Sequence, residues 1–356
     1  MKNSSLSKNS SLAKSSSPVR FPVIDAFKAI ASQLIVLHHL AAYGPISDAV
    51  QRAAPDMISW LYDYARMAVQ VFFVIGGYLA ARSMQTNHAG MAWFTANLVN
   101  RYLRLVVPFF FALVLAIVSA LLARQLLADD FIPDVPELSQ FLSHVFLLHG
   151  VLDFDSLTAG AWFIAVDFQL FLMMLGIAWL GGKSVDSAKV MIVVVTLMAA
   201  ASLFWFNRDS GYDDWALYFF GAYGLGAMAY WAGLREHLAA WFWLNAVITL
   251  AALAADFRLR ILIALAVALI LFFTRNMRIN KEPVLMHYLG KVSYALFLVH
   301  FSVVMLANAV FGWLKLSGSL AGLLFMMFAW LASLVLADIF YRKVEKPATA
   351  AIKLRV

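Results

Sequence analysis

Long uncharged runs recur along the whole chain, and they constrain its fold more than any other feature. Ser319 to Ala337 is one such run, and Ile261 to Thr274 with its flanks is another. Each approaches the ~20 residues needed to cross a ~30 Å hydrocarbon core. Charged residues make up only 13% of the 356 positions, against 63% hydrophobic. A soluble domain carries roughly 25% charged residues, so this chain has too little polar surface to cover a water-soluble globule. A lipid-embedded backbone must satisfy its hydrogen bonds internally, and runs of this length do so as helices. The sequence predicts an all-α, polytopic transmembrane bundle.

Ten spans are expected, at 21–43, 59–81, 105–123, 161–180, 190–206, 215–234, 241–255, 259–274, 288–311 and 318–341. The first 20 residues are rich in Ser, Lys and Asn and read as a disordered cytoplasmic tail. The domain proper is expected over 21–347, with a short cytoplasmic tail at 348–356. The first apolar stretch carries Asp25 and Lys28, exceeds a signal-peptide core in length and offers no clear cleavage site, so it is read as a span. In the connection 124–160, Phe141–Leu148 reads as a short interfacial helix. With the N-terminus in the cytoplasm, the inner segments hold 18 Lys and Arg and the outer segments six. That bias predicts both termini inside and an even number of spans.

Disulfides, thiolate metal sites and cysteine nucleophiles are excluded, because the chain has no cysteine. His144 and His149 lack the neighbouring ligands of a metal site, and no metal is expected. The basic residues lie in short loops between spans, which fits membrane topology and argues against a nucleic-acid partner.

Ionisable residues inside spans are costly and mark working positions. The first span holds Asp25, Lys28, His38 and His39. Eleven residues at ~100° each return His39 to nearly the same helix face as Lys28, about 16 Å further along. Asp25 and Lys28 are spaced to pair. His39, Arg66 and Asp167 are expected in the outer third of the membrane, where a carboxylate near a histidine supports general-base chemistry. Asp63 and Arg66 read either as an interfacial ion pair or as part of that site. His38 reads as a packing or lipid-interface histidine, and His300 as a buried or a catalytic one. Arg101 and Arg104, three apart, are either a positive-inside flank or a fork for phosphates. Gly76 and Gly77 allow close approach of a helix or of a slender substrate chain.

Six segments in order carry a resemblance to a known family. They are Ile24-Asp25-Ala26-Phe27-Lys28 through Val36-Leu37-His38-His39, then Phe72-Phe73-Val74-Ile75-Gly76-Gly77-Tyr78-Leu79, then Arg101-Tyr102-Leu103-Arg104-Leu105 with Pro108. Ala161-Trp162-Phe163-Ile164-Ala165-Val166-Asp167, Ser293-Tyr294-Ala295-Leu296-Phe297-Leu298-Val299-His300 and Val344-Glu345-Lys346-Pro347 complete the series. Together they resemble acyltransferase family 3, membrane proteins that move an acyl group, usually acetyl, from cytoplasmic acetyl-CoA to a hydroxyl of a glycan or lipid outside.

The resemblance implies His39 as catalytic base, with Asp167 supporting the acceptor site. Lys28, Arg101, Arg104, Gly76 and Gly77 are expected at the acyl-CoA, and Arg66, Tyr78, Trp162, Ser293, Tyr294 and His300 along the substrate path. Acetyl-CoA or another acyl-CoA would be a donor substrate, with no permanently bound cofactor. The acceptor would be a glycan or lipid-linked glycan, and the location a bacterial inner membrane. Where the family has arginine, serine and glutamate, this chain has Lys28, Gly76 and Asp167. A chain ending at Val356 is expected to lack the extracytoplasmic hydrolase-like domain of some relatives. The alternative is a transporter or flippase, since buried charges also line transport paths; an inactive partner in envelope assembly is a third reading. The absence of an internal repeat counts against transport.

Overall fold

The computed structural model describes residues 22–84, 90–184, 186–275, 277 and 283–353. The tail expected over 1–20 lies outside them. Among the described residues every regular element is helical. In chain order they are α1 (Pro22–Ala42), α2 (Gly44–Gln51), α3 (Pro55–Asp63), α4 (Val69–Ser83), α5 (Met91–Arg124), α6 (Leu138–Val145) and α7 (Ala161–Gly181). There follow α8 (Ser187–Phe204), α9 (Ala216–Ala232), α10 (Ala239–Ala255), α11 (Leu259–Thr274), α12 (Val284–Trp313), α13 (Ser319–Phe340) and α14 (Lys346–Lys353).

Among the described residues, eight helical stretches are long and apolar enough to cross a membrane. Two further apolar helices, α9 and α11, have 17 and 16 residues. Each of the ten expected spans thus coincides with a helix or helix pair. The second is broken: α3 gives way to a 3-10 turn at Ala65–Ala68 before α4 begins. At the break the Leu61 carbonyl accepts from Nδ1 of His38 at 3.2 Å. His38 is therefore engaged in holding the chain, as expected of a packing histidine.

The third span begins earlier than its apolar core, because α5 runs for 34 residues and carries Arg101 and Arg104 well inside it. Pro108 removes one N–H from its ladder. Close by, the Leu105 carbonyl accepts from the Tyr294 hydroxyl at 2.9 Å, tying α5 to α12.

Small residues set the closest crossings. A Cβ on Gly77 would strike the backbone of Tyr223, and one on Gly226 would strike the Val74 carbonyl, so α4 and α9 meet backbone to backbone. A Cβ on Gly290 would lie 2.5 Å from the Asp25 carbonyl oxygen, which brings α12 equally close to α1. Contacts then climb both helices together, from Asp25–His287 to His39–His300, and on to Asn308, whose Oδ1 accepts from the Ile46 N–H at 3.0 Å. Hence α1 and α12 run parallel.

The long connection folds back on itself through α6. His144 donates from Nδ1 to the Gln140 carbonyl at 2.8 Å and accepts at Nε2 from the Leu157 N–H at 3.0 Å. The ring of His149 stacks on it at 4.1 Å, and both its nitrogens are buried without a partner among the described residues. At the other end of the chain a single π-helical turn, Tyr341–Glu345, joins α13 to α14.

Candidate active site

Two cavities enter the bundle from opposite ends, and an aromatic layer separates them. The first, of about 540 Å3, opens at the end where α1 begins. Its walls carry Lys28, Asn97, Asn100, Arg101, Arg104, Ser293, Tyr294 and Glu345, with Phe72, Phe163 and Phe297 as its aromatic part. Lys28 pairs with Asp25 at 3.6 Å, as the spacing predicts. Three cationic side chains on one cavity suit a phosphate-bearing ligand, and the guanidinium groups add planar, multidentate hydrogen bonding. The carboxamides of Asn97 and Asn100 add neutral donors and acceptors.

Arg101 forms an ion pair with Asp167, and its guanidinium also lies over the Phe171 ring at 5.2 Å. The predicted separation by depth therefore fails for this pair. Arg101 was expected at the inner end and Asp167 level with His39, yet they touch. The long α5 reaches beyond its apolar core, and counting residues from the ends of apolar runs misjudged where Arg101 would sit. Asp167 is buried in the wall of the first cavity. Beside it, a Cβ on Gly76 would stand 3.3 Å from Oδ1 of Asp167 and 3.1 Å from the Tyr223 ring. The glycine thus lets Asp167 and Tyr223 close in on α4 where a side chain would crowd both. Gly77 faces α9 instead and serves the helix crossing.

His39 meets His300, not Asp167. Nδ1 of His39 lies 2.8 Å from Nε2 of His300, and the rings stack at 5.0 Å. Nδ1 of His300 lies 3.0 Å from the Leu296 carbonyl, which can only accept. That carbonyl fixes the chain of protons: His300 donates from Nδ1, so its Nε2 accepts from Nδ1–H of His39. The Nε2 lone pair of His39 is then left free, with no partner among the described residues. Such an imidazole can take a proton from a substrate, while His300 holds its orientation. Neither histidine lines either cavity; Phe297, on the wall of the first, stands 6.2 Å from the His300 ring.

The second cavity, of about 390 Å3, is lined by Arg66, Gln70, Trp162, Asp213, Asp214 and Arg260, with Phe219 on its wall. Its residues lie at the starts of α4, α7, α9 and α11, the opposite end from Lys28 and Arg104. Asp63 and Arg66 form no ion pair among the described residues. Between the cavities Phe73 packs on Phe163 at 4.9 Å and on Phe219 at 4.6 Å, and Trp162 lies 5.7 Å from Phe219.

Of the sequence-predicted residues, Lys28, Gly76, Arg101, Arg104, Asp167, Ser293 and Tyr294 gather at the first cavity, while Arg66 and Trp162 line the second. Tyr78 is turned toward Tyr230, 5.1 Å away, and lines neither. Sequence reasoning passed over Gln70, Tyr223, Asp213, Asp214 and Arg260. Gln70 had a usable signal, being a lone carboxamide in an apolar run. The fully buried Tyr223, whose hydroxyl has no partner among the described residues, looked like any other aromatic in a span.

The family model for an acyltransferase domain, that of acyltransferase family 3, matches residues 21–342. No curated protein and no solved structure matches this chain. The match covers nearly the whole chain and meets a bundle of membrane-length helices that holds a buried histidine pair and a cavity lined by cationic side chains. This chain belongs to acyltransferase family 3 and is an integral-membrane acyltransferase.

Proposed function

We propose that the protein transfers an acyl group, acetyl in the first instance, from a cytoplasmic acyl-CoA to a hydroxyl of a glycan or lipid-linked glycan on the outer side of a bacterial inner membrane. The observation that carries this reading is the His39–His300 pair with its free Nε2 lone pair, one aromatic ring (Phe297) removed from a cavity that carries Lys28, Arg101 and Arg104. In this reading the cavity that opens beside Lys28 faces the cytoplasm, as do both termini.

The nucleotide phosphates of the donor rest on Lys28, Arg101 and Arg104, and its slender thioester arm points toward Phe72, Phe163 and Phe297. Asp167 holds Arg101 in place through their ion pair. Nε2 of His39 takes the proton of the acceptor hydroxyl as its oxygen attacks the thioester carbonyl. The imidazolium so formed is stabilised by the Nδ1–H bond to His300. As the tetrahedral intermediate collapses, the carbon–sulfur bond breaks and the thiolate receives the proton from Nε2. The products are the ester and free CoA, and His39 returns to its starting tautomer.

Acylation of envelope glycans in a deletion strain tests the reading. Complementation with the wild-type gene should restore it, and complementation with His39→Ala should not. Full restoration by His39→Ala would refute the mechanism. Intact acylation in the deletion strain, with a lipid-linked precursor stranded on one leaflet, would favour a flippase.

A further inference from the structure

We propose that the second cavity is a binding site for an uncharged sugar ring, and that it selects which acceptor hydroxyl is presented for transfer. The purpose of the site rests on the acyl-transfer reading; the binding does not. Its volume, about 390 Å3, lies at the small end of ligand pockets.

The lining has the mixed character that hydroxyl groups require. A sugar hydroxyl donates and accepts, so a ring of them is matched by donors and acceptors set side by side. Arg66 and Arg260 donate, Asp213 and Asp214 accept, and the Gln70 carboxamide does both. Trp162 and Phe219 supply an apolar wall for the C–H face of a pyranose.

Charge balance narrows the ligand further. Two guanidinium groups and two carboxylates line the cavity, so its side-chain charges balance. A uronate or phosphate would bring its charge against those carboxylates, and a free amine would meet the arginines. A neutral ring meets neither penalty.

The groups are also held in place. Nη2 of Arg260 donates to the Asn207 carbonyl at 2.8 Å, and its guanidinium lies 4.7 Å over the Tyr218 ring. Gln169 donates to the Asp214 carbonyl at 3.2 Å and accepts from the Ala216 N–H at 3.0 Å, fixing the start of α9. Gln70 is 3% exposed, and its amide oxygen has no partner among the described residues. A carboxamide kept in an apolar span without a protein partner is accounted for by a ligand hydroxyl.

The position suits an acceptor. Trp162 stands 6.2 Å from Phe163, whose ring lines the donor cavity. The 3-10 turn that carries Arg66 packs on α1, the helix that carries His39.

Saturation-transfer NMR on the full-length protein in lipid nanodiscs tests the site, with methyl β-D-glucoside as probe and methyl glucuronide and glucose 6-phosphate as comparisons. The glucoside should bind saturably to wild type and to His39→Ala, and about tenfold more weakly to Gln70→Leu. Asp213→Asn with Asp214→Asn, both exposed positions, should gain glucuronide binding about tenfold, an effect that misfolding does not produce. The proposal is overturned if the glucoside does not bind, if wild type prefers either anionic sugar, or if neither set of substitutions changes the preference. Free CoA release from acetyl-CoA, followed in parallel, separates the two readings. His39-dependent release without sugar binding sinks only the sugar site. Sugar binding as described, with no release at all, sinks only the acyl-transfer reading.

Discussion

Nδ1 of His39 and Nε2 of His300 lie 2.8 Å apart, joining two parallel helices through one proton. The bond has a direction, because the Leu296 carbonyl leaves His300 only one way to accept. His39→Ala removes the base and should lower acyl-CoA turnover by roughly 10²–10⁴-fold, the usual worth of general acid–base catalysis. His300→Ala leaves the base but frees its tautomer. It should cost less, and it should move the pH profile of turnover, which purely structural damage would not do. His300→Gln, whose amide oxygen can still accept from Nδ1–H, should recover part of the loss. Steady-state kinetics across pH 5 to 9 would distinguish the three variants.

Removing one member of the Arg101–Asp167 pair strands the other. Asp167→Asn leaves the Arg101 charge facing a neutral amide in the cavity wall. Breaking a fully buried pair costs about 3–5 kcal/mol. Here the Arg101 side chain is 31% exposed, so about 1–3 kcal/mol is expected after screening by solvent. Adding Arg101→Gln to Asp167→Asn should restore part of the thermal stability in detergent and none of the donor affinity. If the double variant is no more stable than Asp167→Asn, the pair is not the source of the loss.

The neighbouring glycines should respond in opposite ways. Gly76→Ser places a Cβ 3.1 Å from the Tyr223 ring and 3.3 Å from Asp167. The ring must yield by a few tenths of an ångström, so the change in stability should stay within about 1 kcal/mol. The new hydroxyl would reach Asp167 and compete with Arg101, raising KM for acyl-CoA more than it lowers kcat. Gly77→Ala meets the backbone of Tyr223, which cannot yield in the same way. Loss of folded protein in the membrane fraction is the expected result, read by fluorescence-detected size exclusion.

The long connection should loosen in acid. Burial, and then the adjacent His144, lower the His149 imidazole from near 6.5 to about 3. Burial also holds His144 below its ordinary value. The unfolded segment takes up protons below pH 6.5 that the folded one refuses. The stability of this region is therefore complete above pH 6.5 and falls as pH drops toward 3, by up to about 1.4 kcal/mol per unit for one group. His149→Phe keeps the stacked ring and removes its two unpartnered nitrogens. It should reduce the acid-induced rise in hydrogen exchange over 138–158, and equal exchange in the two proteins would contradict this account.

Apolar run length carried most of the fold, since a helix that faces lipid must be apolar over a fixed length. It carried less where a helix outruns the apolar zone. The first turns of α5 mix Asn97, Asn100 and Arg101 with apolar residues, and hydropathy places the start of that span too late. Nor is the break at Ala65–Ala68 marked by glycine or proline. For the site, single residues were legible and pairings were not. His39 stood out as an imidazole on the same helix face as Lys28. Its partner is 261 positions away, and only the close crossing of α1 and α12 at Gly290 brings it there. Arg101 and Asp167 were each legible as charges in or beside spans, but their shared depth depends on how far α5 extends. Gln70 and the acids before α9 belong to a cavity whose walls come from four separate helices, and no local spacing encodes that.

The aromatic layer of Phe73, Phe163, Trp162 and Phe219 has an electrical consequence. Water filling the polar cavities on its two sides would concentrate the membrane voltage across this layer instead of over the full bilayer. A charge carried through the layer would do work against nearly the whole potential, about 2.3 kcal/mol per elementary charge per 100 mV. A neutral acyl group would do none. Under the acyl-transfer proposal the group that crosses this layer is neutral, so transfer would draw no current.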